Sequence, residues 1–231
     1  LNPEDANSPT EEWEDVVWRV IRACRDQLNV GFTQDEEFRL YDYMMSLKGT
    51  VAGRFLWQLG TDTVNQLGLP SLQNCAFVTV DHPIRPFTWT FDMLMLGSGV
   101  GYNIQREFVY KLPPVKENFV APVRQDNPSA DFIVPDSREG WVRLLENVLD
   151  SAFNEKSLMQ PGFTFSAHCI RGKGTPIKGF GGTASGPEDL CVGIADISKI
   201  LCDRAGKQLR PIHCLDIMNI QGRVVVSGNV R

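Results

Sequence analysis

The stretch Leu72-Gln-Asn-Cys-Ala-Phe-Val78 decides how the rest of the chain is read. Asn74 to Val80 is a short run of strand formers leading into a His82-Pro83 turn, so a buried strand is expected there. Immediately downstream, Phe87, Phe91, Leu94 and Met95 fall on one face of a short helix over 87–96. Gly97-Ser-Gly-Val-Gly101 breaks that helix, and Val100 to Gln105 resumes as a strand. Strands alternating with helices predict an α/β or mixed barrel rather than a sandwich.

Working outward, Val109 to Pro135 is rich in Pro, Asn and charge without periodicity and reads as an irregular insertion or long loop. A strong helix follows from a Ser137 cap to Phe153, with Trp141, Leu144, Leu145, Val148, Leu149 and Ala152 as its apolar stripe. Phe163 to Ser166 is strand-like and gives way to a glycine-rich region over 172–186. Pro187 opens a helix that ends near Gly206, and Pro211 suits the first position of another. Toward the N-terminus, Trp13, Val16, Val17, Val20, Ile21 and Cys24 form one helical stripe. A second helix is expected over 33–47, with Phe38, Tyr41 and Met45 on one face. Gly49 and Gly53 then punctuate the chain, which predicts a helical region over 1–48 and a main fold over 49–231.

Composition narrows the function. A net charge of −5 argues against a surface for nucleic-acid polymers, which needs a basic stripe to neutralise phosphates. No apolar run approaches the ~20 residues of a membrane span. The acidic start Leu1-Asn-Pro-Glu-Asp5 is unlike a signal peptide, and Leu1 is not an initiator Met. Six cysteines, with no C-x-x-C pair, fit neither a zinc site nor a dense disulfide scaffold, so a reducing cytoplasm and no metal centre are expected. Cys24, Cys169, Cys191, Cys202 and Cys214 are taken as structural. His168 beside Cys169 suggests a nucleophile–base pair, but neighbours in a strand point to opposite faces, so no dyad is expected.

Two segments have the composition of a phosphate-binding site. Gly179-Phe-Gly-Gly-Thr-Ala-Ser-Gly-Pro187 and Ser227-Gly-Asn-Val-Arg231 each place small residues and backbone donors at the end of a helix. Read alone, each is a flexible connection. Gly97 to Gly101 is no dinucleotide fingerprint, because it follows a helix and precedes a strand and lacks a third glycine at the required offset. Gly172-Lys173 is no phosphate loop either, since Gly174 stands where Ser or Thr is required. On residue type alone, Cys75 reads as a core thiol and Arg54, in Gly53-Arg-Phe-Leu-Trp57, as a solvated charge.

Taken together, Leu72 to Val78, Gly53 to Trp57 and the two glycine-rich segments resemble the adenosylcobalamin-dependent (class II) ribonucleotide reductases, from about Gly53 to Arg231. The wording looks closest to the monomeric triphosphate reductases of that family. The resemblance implies the first half of a ten-stranded α/β barrel, preceded by an N-terminal helical segment. It makes Cys75 one member of a redox-active cysteine pair. It puts Arg54, Ser71, Asn74, Ser98 and Gly99 against the substrate. It assigns Gly179, Gly181, Gly182, Thr183, Ser185, Gly186, Gly228, Asn229 and Arg231 to the effector. The implied cofactor is adenosylcobalamin. The implied partners are a ribonucleotide substrate, a dNTP effector, a thioredoxin-type reductant and the remaining barrel half, in the same chain or another.

The family's Asn-Pro-Cys-Gly-Glu motif does not occur in this sequence, and Arg231 falls within the second effector segment. A fragment, a split subunit or an interrupted extein is therefore expected, inactive by itself. The alternative is a non-catalytic nucleotide-binding or assembly module that retains the barrel half. The coding sequence beyond Arg231 separates the two.

Overall fold

The computed structural model describes residues 10–177 and 183–226. It divides into two compact units, Leu1–Asn74 and Cys75–Arg231.

The first unit is helical. Helix α1 (Trp13–Asp26) starts with a capping box in which Glu12 and Asp15 satisfy each other's backbone donors. Helix α2 (Gln34–Met45) starts the same way, with Thr33 and Glu36 as the pair. Of the three residues expected on the inner face of α2, Phe38 is exposed, and Met44 is the residue the helix buries. Two helices absent from the sequence reading follow, α3 (Gly53–Gln58) and α4 (Asp62–Leu67), then a 3-10 turn over Leu69–Leu72. Six-residue helices are too short to show a periodic stripe and form only with tertiary support. Arg19 supplies part of that support: it donates to the carbonyls of Leu56 (2.7 Å) and Leu59 at the end of α3 while pairing with Glu11 at 2.7 Å. Val17, Val20, Ile21, Met44, Leu59, Val64 and Leu72 form this unit's core. The division between units falls at Asn74 and Cys75 rather than at residues 48 and 49, because Leu59, Val64 and Leu72 join the α1 core.

The second unit opens with β1 (Cys75–Thr79), α5 (Arg85–Met95) and β2 (Gly99–Asn103), the strand–helix–strand order expected from the sequence. The two strands pair in parallel, Cys75 opposite Gly99 through Thr79 opposite Asn103. A short helix α6 (Arg106–Val109) follows. The stretch read as irregular contains two strands of two residues each, β3 (Val123–Arg124) and β4 (Phe132–Ile133). Both lie parallel to β5 (Thr164–Ser166), which sits between them. Helix α7 (Arg138–Phe153) begins at the expected cap, where the Ser137 hydroxyl accepts from Gly140 N–H at 3.0 Å.

Helices α8 (Glu188–Asp203) and α9 (Pro211–Val226) complete the unit. Phe87 and Phe91 of α5, Leu144 to Leu149 of α7, Leu190 to Leu201 of α8 and Cys214 to Met218 of α9 bring their apolar stripes into one core. Gly193 lets α8 meet α9 closely: a Cβ built there would lie 2.4 Å from Val224 Cγ2. No helix among the described residues is long and apolar enough to cross a membrane.

Candidate active site on strands β1 and β2

Parallel pairing puts the side chains of opposed residues on the same face of the sheet, and alternation along each strand sorts them into two sets. On one face Val78 and Tyr102 pack against the core of the second unit. The other face carries Cys75 and Phe77 from β1 opposite Gly99 and Gly101 from β2, and all four are exposed. The strand was expected to be buried, but glycine opposite both Cys75 and Phe77 leaves this face without side chains to cover it. A Cβ at Gly101 would come within 3.2 Å of Phe77 Cδ2, so glycine keeps the floor beside that ring open. The result is a strip of bare backbone next to a free, exposed thiol. Such a surface lets a flat polar ligand approach main-chain groups and the Cys75 sulfur together.

Ser98 precedes β2 and is buried, its N–H donating to Met93 O at 3.0 Å as the chain leaves α5. At the far end of the strands, Phe77, Tyr102, Asn103, Ile104 and Gln105 line an open depression of about 450 Å³.

The three candidates in the first unit are held by a compact hydrogen-bond set. Arg54 Nη1 donates to the carbonyls of Ser71 (2.8 Å) and Gln73 (3.1 Å). The Ser71 side chain is fully buried and its hydroxyl donates to Gly68 O at 2.8 Å. Arg54 and Ser71 therefore fix the turn that leads to Asn74, which is exposed and covalently next to Cys75.

Of the effector candidates, Thr183, Ser185 and Gly186 are described; Gly179, Gly181, Gly182, Gly228, Asn229 and Arg231 lie outside the described residues. Thr183 forms an antiparallel bridge with Pro176, supported by Ala184 N–H to Thr175 O (2.8 Å) and Gly174 N–H to Ala184 O (2.9 Å). Gly186 has φ +80° and packs against Lys173, whose backbone nitrogen would lie 3.1 Å from an added Cβ. The α8 N-terminus that follows carries Glu188 and Asp189, which already complement its dipole.

His168 and Cys169 depart from expectation. Strand β5 ends at Ser166, and the Ala167 carbonyl accepts from Ile170 N–H at 3.0 Å, so both residues sit in a turn. Strand alternation does not apply there. Cys169 Sγ lies 3.3 Å from His168 Nε2, and His168 Nδ1 meets the buried Ser166 hydroxyl at 2.5 Å.

A family model described as B12-dependent ribonucleotide reductase, insertion domain, matches residues 115–201. The adenosylcobalamin-dependent ribonucleoside-triphosphate reductase of Lacticaseibacillus paracasei is 32% identical across 96% of this chain and 37% of its own length. A probable enzyme of the same name from Dictyostelium discoideum is 35% identical, across 97% of this chain and 32% of its own. A crystal structure of a B12-dependent (class II) ribonucleotide reductase superimposes with a TM-score of 0.77 at 28% identity, over 94% of this chain and 38% of that one. The chain thus spans about a third of the length of these relatives, from 32% to 38%. By sequence along almost its whole length and by fold, it belongs to the adenosylcobalamin-dependent (class II) ribonucleotide reductase family.

Proposed function

We propose that this chain contributes part of the substrate site of an enzyme that reduces ribonucleotides, as triphosphates, to deoxyribonucleotides. The observation that carries the reading is the exposed Cys75 thiol on a glycine-floored strand pair. The names of its relatives give that thiol its chemistry. Replacing the ribose 2′-hydroxyl by hydrogen consumes two electrons and releases water. Two thiols closing to one disulfide supply both electrons and the protons that balance them. Cys75 is one of the two; its partner belongs to the part of the relatives' length that this chain does not span.

In this reading the nucleotide lies along the β1–β2 floor. Gly99 and Gly101 leave main-chain groups open to it, and Asn74, exposed and next to Cys75 in sequence, is a candidate for the same nucleotide. Arg54 and Ser71 hold the Ser71–Gln73 turn through hydrogen bonds to backbone carbonyls. A dNTP effector engages the glycine-rich segments, of which Thr183, Ser185 and Gly186 are the described part. A thioredoxin-type reductant reopens the disulfide, in a reducing cytoplasmic setting that suits the free thiols.

Adenosylcobalamin is the cofactor named for the relatives. Two open depressions among the described residues measure about 440 and 450 Å³, and neither is assigned to it. Among the described residues no group of His, Cys, Asp and Glu could hold a metal ion. No residue of this chain is assigned to the cofactor.

The test is reduction of a ribonucleoside triphosphate by the chain extended to the length of its relatives, with adenosylcobalamin and a dithiol. Cys75→Ser should abolish repeated turnover while nucleotide binding persists. Near-normal repeated turnover by that variant would overturn the assignment.

A further inference from the structure

Outside the β1–β2 strip, a second thiol stands in a reactive setting. Cys169 is exposed, and its sulfur lies 3.3 Å from His168 Nε2. The other ring nitrogen meets Ser166 Oγ at 2.5 Å, and Ser166 is fully buried at the end of β5. The same hydroxyl also accepts from His168 N–H at 3.4 Å. Donation of Nδ1–H to the Ser166 hydroxyl is the tautomer that turns the Nε2 lone pair to the thiol. Nucleophile, base and orienting group are therefore in sequence, the arrangement that activates a weak nucleophile. The Asp126 carboxylate accepts Ala167 N–H at 2.8 Å and so helps hold the turn that carries His168 and Cys169. The nearby Arg171 is occupied by Asp136 at 2.7 Å, and Arg124 by Asp126 and Glu188.

We propose that Cys169 is a modification site for small disulfides, with His168 as its base and Ser166 as the residue that positions the base. His168 Nε2 takes the thiol proton. The thiolate attacks one sulfur of the disulfide, the reagent's S–S bond breaks, and a new S–S bond forms to Cys169. The departing thiolate takes the proton back from His168. The Cys169 sulfur is oxidised and the departing sulfur reduced, so no further oxidant enters. This site is independent of the reductase reading, because it uses none of the β1–β2 residues.

The remaining cysteines serve as internal standards. Burial pushes the Cys191 thiol up to about 11 and that of Cys214 up to about 12, so both stay protonated. Cys202 is exposed like Cys169 and lies on α8, a helix without histidine, beside Lys199, which makes it the comparison. A thiol with the ordinary value near 8.5 is only a few per cent thiolate at pH 7, so activation leaves room for a rate gain of more than tenfold.

The experiment treats the whole chain with bis(2-hydroxyethyl) disulfide and locates the adducts by peptide mass spectrometry. Cys169 should react at least ~10-fold faster than Cys202 at pH 7. His168→Gln should remove that advantage and move the half-maximal pH of the Cys169 reaction upward by about one unit or more. Ser166→Ala should shift the same profile in the same direction by less, which loss of packing alone would not do. Equal rates at Cys169 and Cys202 in the unsubstituted chain would overturn the proposal whatever the variants do. So would a pH profile unmoved in either folded variant.

Discussion

Arg124 holds Glu188 through two parallel hydrogen bonds, Nη1 to Oε2 at 2.8 Å and Nη2 to Oε1 at 3.0 Å, across 64 residues of sequence. Its Nε meets Asp126 at 2.8 Å, so one guanidinium ties β3 to the first turn of α8. The Arg124 hydrogen bond holds the Glu188 carboxyl below its ordinary value. Asp126 is lowered chiefly by Ala167 N–H and secondarily by Arg124. A carboxylate lowered in the folded state adds stability above its unfolded value of about 4, and loses it as pH falls through the native value. Arg124→Met should therefore lower the melting temperature at pH 7 and also reduce the further drop between pH 6 and pH 3. Thermal melts across that range check this; an unchanged acid slope in the variant refutes it.

Two histidines act as caps through Nδ1. His82 accepts from Ile84 N–H (3.1 Å) and Arg85 N–H (3.2 Å) where α5 begins, and His213 accepts from Arg210 N–H at 3.0 Å where α9 begins. Burial, followed by neighbouring arginines, lowers both imidazoles. Only the neutral ring can accept, so each contribution is complete above about 6.5 and is lost as pH falls through the lower native value. Stability should decline between pH 7 and pH 5, before most carboxylates titrate. His82→Ala should shrink that decline. Urea midpoints at several pH values measure it, and a wild-type midpoint that stays flat over this window rejects the account.

Gly193 and Val224 set the spacing of α8 and α9. Gly193→Ala forces a side chain into a packed contact and should cost about 1–3 kcal/mol despite better helix propensity. Val224→Ala removes the obstructing methyl, so the double variant should be less destabilised than the sum of the two singles. Chemical denaturation of the four proteins gives the coupling; strict additivity would show that the contact is not limiting.

Arg19 is the corresponding support in the first unit, three-quarters or more of its side chain shielded while it serves Glu11 and two α3 carbonyls. Arg19→Met keeps the apolar stem but leaves those acceptors without a donor, at a cost of about 1.5–3 kcal/mol. Amide exchange should accelerate first in α3, with the β1–β2 amides unaffected. Uniform acceleration throughout the chain would contradict a local role.

Elements of three turns or more were legible because their stripes repeat. The helices at 138–153, 188–203 and 211–226 start at the serine cap or the prolines that placed them, and that at 13–26 follows its apolar stripe. Helices α3 and α4 and strands β3 and β4 were not, since two to six residues carry no period. Asp131, for instance, is tied to the backbone and hydroxyl of Thr164 at 2.7 and 2.8 Å, a partner 33 positions away that no local pattern announces. The site divides the same way. Cys75 stood out within its own segment, but that Gly99 lies opposite it is a matter of register between strands. The His168–Cys169 contact was missed because strand alternation was applied beyond Ser166, where the strand ends.

The order β3-β5-β4 has a consequence for how the chain is made. The central strand is synthesised last, after α7 has emerged. At ~5–20 residues per second a ribosome delivers β5 roughly 2–6 s after β4. Through that interval β3 and β4 lack their central strand, while α7 already has the earlier α5 to pack against. Nascent chains of this region therefore hold two unpaired strand edges for seconds before β5 can close the sheet between them.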